Sequence, residues 1–182
     1  MKIKDMTIVA MFSALTAVLS QVSIPLPFSP VPITLQTFAV FLTGAVLGSR
    51  KGTLALAIYV LIGLFGLPVF SQGKSGLPAL VGPTGGYIIG FIPAVYIIGK
   101  VLEESEHITF LRSFGAITLG LVVVYTLGVI QLKFVLDLSL TEAVTMGVLP
   151  YLVFEFAKVI MGAYLGSRIR KAILFVFPER DS

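Results

Sequence analysis

Between Asp5 and Arg50 the chain runs for 44 residues without one charged side chain. A helix crosses the apolar core of a bilayer in about 20 residues, so this stretch is too long for one crossing and sufficient for two. The proline-rich segment Pro25 to Pro32 supplies the break between them, because proline removes a backbone donor and interrupts a helix. Three further uncharged stretches, Gly52 to Gly73, Ser75 to Gly99 and Ser113 to Leu132, run 22, 25 and 20 residues. A sixth, Ala143 to Ser167, runs 25 residues with only Glu155 and Lys158 near its middle. With 57% hydrophobic and 12% charged residues, the chain has too little charge to cover the surface of a water-soluble domain, where about a quarter is usual. The expected fold is all-α: a six-transmembrane-helix bundle in which residues 1–182 form a single membrane-embedded domain.

Lys2 and Lys4 ahead of an apolar run resemble a signal peptide, but the chain that follows is equally apolar, so the first segment is read as a span. No polar stretch is long enough for an appended ATPase or DNA-binding module, and nucleic acid is not an expected partner. With no cysteine and one histidine, disulfides, thiolate metal sites and multi-histidine metal centres are excluded, and no metal is expected.

Six spans place both termini on one side. If that side is cytoplasmic it collects Lys2, Lys4, Arg50, Lys51, Lys100, Arg112, Arg168, Arg170, Lys171 and Arg180, ten of the thirteen basic residues. Lys74 and Lys133 fall on the other side and Lys158 inside the membrane. Basic residues concentrate in cytoplasmic loops, so the expectation is a multi-pass protein of the cell membrane with N- and C-termini cytoplasmic.

An internal echo serves as a depth ruler. Gly44-Ala45-Val46-Leu47-Gly48-Ser49-Arg50 closes span two, and Gly162-Ala163-Tyr164-Leu165-Gly166-Ser167-Arg168 closes span six; their glycines are read as helix-packing residues. Gln36 precedes Arg50 by 14 residues, Glu155 precedes Arg168 by 13, Tyr87 precedes Lys100 by 13 and Tyr125 follows Arg112 by 13. At about 1.5 Å per residue all four sit roughly 20 Å from the basic end, in the outer part of the membrane. Charge at that depth is costly, so Glu155 and Lys158, three apart on one helical face, are expected to touch and to face the interior or a cavity. They are read as functional rather than as a structural ion pair, and Gln36 joins them by its depth. Tyr125 and Tyr96 are read as packing residues.

The loop from Phe70 to Gly76, leading to Gly82-Pro83-Thr84-Gly85-Gly86-Tyr87, lies on the outer side in this topology. Its glycines permit close backbone approach, and amides at a helix start favour an anion. Gly73-Lys74-Ser75 imitates the end of a phosphate-binding P-loop, but the glycine required five positions before Gly73 is Pro68, which rules out ATP binding here.

VPITLQTF from Val31 to Phe38, GPTGGYIIGF from Gly82 to Phe91, and the acid-x-x-Lys pair of the last span together resemble the BioY family, the biotin-binding S components of energy-coupling-factor (ECF) vitamin transporters. The resemblance covers nearly the whole chain in order and spacing. It implies a six-helix protein that captures biotin from outside, with biotin as transported ligand and no cofactor of its own. It also implies partners: a transmembrane coupling (T) protein and two cytoplasmic ATPase subunits that use the ATP. In the family the acid is often aspartate, so Glu155 is one methylene longer.

Biotin presents two ureido N–H donors, a carbonyl acceptor, an apolar ring and a carboxylate, each of which a buried site must answer. Glu155 is expected to accept from the ureido N–H groups, and Lys158 or the Gln36 amide to donate to its carbonyl. Lys74 and the loop around Gly82, Thr84 and Gly85 are expected to hold the carboxylate, with Tyr87 over the ring system. A reversed pose places Lys158 on the carboxylate. Ala10 and Ala14, continued by Ala17, form a small-residue face suited to close helix approach, and the resemblance makes it a contact with the coupling protein. The alternatives are a stand-alone vitamin transporter, which would use the same residues, and an intramembrane enzyme, for which no nucleophile constellation, metal cluster or carboxylate dyad is present.

Overall fold

A computed structural model describes residues 3–104 and 108–176, and side chains as far as residue 170. Lys2 and Arg180, and the side chain of Lys171, counted in the charge asymmetry above, lie outside the described residues. Helix α1 (Ile3–Gln21) leads through a short hairpin of β1 (Ser23–Leu26) and β2 (Ser29–Thr34) into α2 (Gln36–Leu64). A short α3 (Gly76–Val81) precedes α4 (Gly85–Glu103) and α5 (Phe110–Leu136); α6 (Leu140–Gly147) and α7 (Leu152–Val176) complete the described chain. Among the described residues, five stretches are long and apolar enough to cross a membrane: α1, α2, α4, α5 and the region Leu140–Arg170.

The element α2 is folded back on itself. Gly48 adopts φ 77°, ψ −171°, a conformation open to glycine and strained for other residues. The Gln36 amide lies 2.6 Å from the Tyr59 hydroxyl, although 23 residues of continuous helix would hold them roughly 34 Å apart. Spans two and three of the sequence reading are therefore two antiparallel arms joined at Gly48. Glu103 clamps the reversal, its carboxylate accepting from the Ser49 backbone N–H at 2.7 Å and the Ser49 hydroxyl at 2.6 Å. A Cβ at Gly48 would collide with that carboxylate. Gly48→Ala is expected to cost about 1–3 kcal/mol of stability, checked by thermal unfolding of the detergent-purified protein followed by circular dichroism.

Lys51, Arg112 and Arg170 gather at the end of the bundle where this reversal lies. Lys51 pairs with Asp5 of α1 at 2.9 Å, Arg112 donates to the Val101 carbonyl at 3.3 Å, and Arg170 reaches the Ala45 carbonyl at 3.5 Å. The two echo segments pack on each other there, since a Cβ on Gly166 would come within 2.6 Å of that of Ala45. This contact agrees with the packing role given to the echo glycines, whose smallness lets the helices approach closely. Helix α4 is the central stave, packed against both α2 and α5. Gly86 and Gly90 meet the backbone of α5 at Leu127 and Val124. Outward, the bundle shows large apolar side chains such as Phe65, Leu111, Phe134 and Val153, a surface suited to lipid rather than water.

Two local features differ from the sequence reading. The proline-rich break is an antiparallel hairpin, pairing Ser23 with Thr34, Ile24 with Ile33 and Leu26 with Ser29. Two strands suffice because their outer edges need no partner, which is where proline is tolerated. The sixth stretch is also interrupted: α6 ends at Gly147, a 3₁₀ turn spans Leu149–Tyr151, and α7 begins at Leu152. Pro150 accounts for the break, because it brings no amide hydrogen and its ring crowds the preceding turn, and the chain leaves helical geometry at Val148 with φ −128°, ψ −56°. Glu155 consequently lies in the first turn of α7 rather than mid-helix, where the positive end of the helix dipole favours a carboxylate.

Candidate functional site

At the end of the bundle opposite the Lys51, Arg112 and Arg170 contacts, α2, α4 and α7 all begin. Gln36 is the first residue of α2, Tyr87 the third of α4, and Glu155 is in the first turn of α7. Between them lies an open-mouthed cavity, a concave site lined by apolar side chains and a few convergent polar groups, as small-molecule sites are. Gln36, Tyr87, Tyr125 and Glu155, assigned to one depth by counting along four helices, all line it. The hairpin contributes Val31, Pro32 and Thr34, and the loop after α2 contributes Ser71. Tyr151 secures the hairpin by hydrogen bonds to Ser29 Oγ at 2.8 Å and the Val31 carbonyl at 2.5 Å.

The polar wall is organised around the charged pair. Lys158 Nζ contacts Glu155 Oε1, the Thr34 carbonyl at 2.8 Å and Thr37 Oγ1 at 2.7 Å. An ammonium has three protons, so these acceptors occupy Lys158 fully, and it stands behind the cavity lining. Glu155 Oε1 also accepts from the Thr37 hydroxyl at 2.9 Å. Its second oxygen, Oε2, is buried without a hydrogen-bond partner among the described residues. Glu155 is 4% exposed and Lys158 6%, so neither relies on water for solvation. A buried carboxylate oxygen with no donor is costly, and a ligand N–H is the kind of group that would satisfy it.

Gln36 is oriented by its neighbours. The Tyr59 hydroxyl donates to the Val69 carbonyl at 3.0 Å, so it accepts from the Gln36 amide nitrogen. That leaves the Gln36 carbonyl oxygen as the free end, the reverse of the donor role expected from sequence. The hydroxyls of Ser71, Thr84 and Tyr125 donate to no acceptor among the described residues, and all three residues line the cavity. Tyr125 was read as packing; it packs edge-on against Tyr87 with ring centroids 6.0 Å apart and also lines the cavity. Tyr96 is exposed on the outside of the bundle rather than packed within it.

The glycine loop behaves differently from expectation. The amides of Gly82 and Gly85 donate to the carbonyls of Pro78 and Gly82, each at 3.0 Å, and so are not free for an anion. One helix ends and the next begins within four residues, and the turn consumes those donors. Gln131 of α5 holds the loop by donating to the carbonyls of Leu80 at 2.7 Å and Gly82 at 2.8 Å. Gly85 faces this glutamine, not the cavity. Thr84 and Tyr87 are the residues of this run that line the cavity, while Lys74 is exposed and outside the lining. Ala10 and Ala14 are exposed on the outer face of α1, while Ala17, which continues the stripe, packs against the core.

Thr34, Thr37, Ser71, Tyr59 and Tyr151 were not singled out from sequence. Thr34 and Thr37 fall inside VPITLQTF and Ser71 inside the Phe70–Gly76 loop, which are their sequence signals; the contacts of Tyr59 and Tyr151 link residues far apart in the chain.

The chain is similar to known proteins along almost its full length. The model of the BioY family matches residues 1–175. Over 160 residues the chain is 43% identical to the biotin transporter BioY of Thermotoga maritima, covering 88% of this chain and 92% of that protein. It is 38% identical over 171 residues to the probable biotin transporter BioY of Pyrococcus horikoshii, with 93% and 98% covered. The crystal structure of the S component for biotin from an ECF-type ABC transporter matches with a TM-score of 0.86 at 28% identity, covering 93% of this chain and 92% of that one.

Proposed function

Because the chain belongs to the BioY family, we propose that it captures biotin in the cavity at the heads of α2, α4 and α7, as the substrate-specific subunit of an ECF-type transporter. It is a membrane-embedded transport subunit and not an enzyme. The observation that carries the ligand assignment is Glu155 Oε2, a buried acceptor without a donor. A cyclic urea supplies such a donor twice over. One ureido N–H bonds Glu155 Oε2 and the other the Gln36 carbonyl, while the Tyr125 hydroxyl serves the ureido oxygen. Tyr87 and Phe91 flank the apolar ring. The valerate carboxylate points to the mouth, where the Ser71 and Thr84 hydroxyls and the start of α4 favour an anion. Lys74 acts there only as an exposed countercharge, and Lys158 holds Glu155 Oε1 without touching the ligand.

The two arms of α2 count as separate crossings in this reading, so the chain makes six passes with both termini on the basic, cytoplasmic side. The exposed Ala10–Ala14 face of α1 docks against the transmembrane coupling protein, which brings two cytoplasmic ATPases. Ala14→Trp is expected to leave biotin affinity unchanged and to abolish co-purification with the coupling protein, measured by calorimetry and pull-down from membranes. Loss of biotin binding by the isolated variant would place that face in internal packing.

Calorimetric titration of the purified chain with biotin in detergent tests the whole reading. Binding that saturates at one equivalent supports it. A folded protein that takes up no biotin rules it out.

A further inference from the structure

Tyr59 has no exposed surface and does not line the cavity, yet it connects the cavity wall to the loop that contributes Ser71 to the lining. Its hydroxyl lies 2.6 Å from the Gln36 amide nitrogen and 3.0 Å from the Val69 carbonyl. The Val69 carbonyl can only accept, and it also lies 2.5 Å from the Ser20 hydroxyl. Gln21 ties down the same segment, its side-chain amide donating to the carbonyls of Pro68 at 3.3 Å and Phe70 at 3.1 Å. Phe70 is 1% exposed and packs edge-on against the Tyr59 ring, with centroids 5.6 Å apart. The next residue, Ser71, is on the cavity lining.

A phenol has one proton. Given to Val69, it obliges the phenol oxygen to accept from Gln36, and an amide that presents its nitrogen to Tyr59 presents its carbonyl elsewhere. We propose that Tyr59 is a positioning residue that fixes the Gln36 amide with its carbonyl towards the ligand, so that the cavity selects for a ring N–H at that point and not merely for a ring of the right size. The proposal rests on the biotin reading and deepens it. Without the phenol hydroxyl, the Gln36 amide rotates freely and offers its NH₂ as readily as its oxygen, so the site no longer distinguishes a ligand donor from a ligand acceptor there. The same hydroxyl couples that choice to the seating of Val69 and Ser71, because a loop displaced from the cavity leaves the phenol proton without its acceptor.

The experiment compares biotin with its two cyclic carbamate analogues, in each of which one ring N–H is replaced by oxygen, on the full chain and on Tyr59→Phe. The wild type is expected to bind both analogues more weakly than biotin. Tyr59→Phe is expected to weaken biotin roughly tenfold and to shrink the penalty against one analogue by a similar factor, while that against the other is retained through Glu155. A purely structural role would lower all three affinities together with their ratios unchanged, and that result overturns the proposal. Gln36→Ala, which leaves Tyr59 and the loop in place, must show the same selective loss, and adding Tyr59→Phe to it must not reduce selectivity further. If the wild type binds no biotin, the functional reading fails. The positioning claim is then judged separately from the Gln36 side-chain amide protons by NMR. One of them should be protected from exchange in the wild type and neither in Tyr59→Phe; equal protection in both proteins refutes it.

Discussion

Glu155→Gln is expected to lower biotin affinity by about a hundredfold or more while leaving the bundle folded. The replacement has nearly the same shape, and its remaining carbonyl oxygen can take the place of Oε1 towards Lys158 and Thr37. Its NH₂ then occupies the position of Oε2, so a donor faces the ligand's own N–H where an acceptor stood. Hydrogen bonds to charged groups contribute about 1.5–3 kcal/mol, and the apposed donors add to that loss. Calorimetry with biotin, paired with a melting curve to establish folding, measures both halves of the expectation. An affinity within threefold of wild type would remove Glu155 from the ligand.

Lys158→Met is expected to act on stability first. It leaves the Glu155 carboxylate with the Thr37 hydroxyl as its remaining donor, and it orphans the Thr34 carbonyl. Breaking one side of a buried ion pair costs about 3–5 kcal/mol, because the surviving charge has neither water nor partner. Biotin binding should fall with the fold. The double variant Glu155→Gln/Lys158→Met removes the stranded charge, and should recover most of the melting temperature without recovering biotin binding. That split separates the lysine's electrostatic role from direct ligand contact. A Lys158→Met protein as stable as wild type, with biotin binding lost, would instead put the ammonium on the ligand.

The depth argument succeeded where it relied on counting. Gln36, Tyr87, Tyr125 and Glu155 reach one cavity because helical rise is nearly constant, so distance from a basic end measures distance along the membrane normal. It did not extend to Lys74, which lies in a loop where residue count does not measure height. The expected anion cradle at Gly82 and Gly85 did not form because glycine content reports backbone freedom and not where each amide donates. The hairpin was visible only as a helix break, since four prolines exclude a helix without specifying what replaces it.

What the sequence by itself determined is the class of molecule: long uncharged helices, a basic end, and one buried acid with a lysine three residues on. Each follows from composition and linear spacing, because a bilayer admits few solutions and a helix converts residue number directly into height and face. What only the tertiary structure decided is how the hydrogen-bonding capacity is shared out. Lys158 meets Thr34 and Thr37 across 124 and 121 residues, and Tyr59 turns Gln36 from 23 residues away by way of Val69. Whether a buried group is spent on the protein or left for a ligand depends on partners that only folding brings within about 3 Å, and no local pattern carries that information.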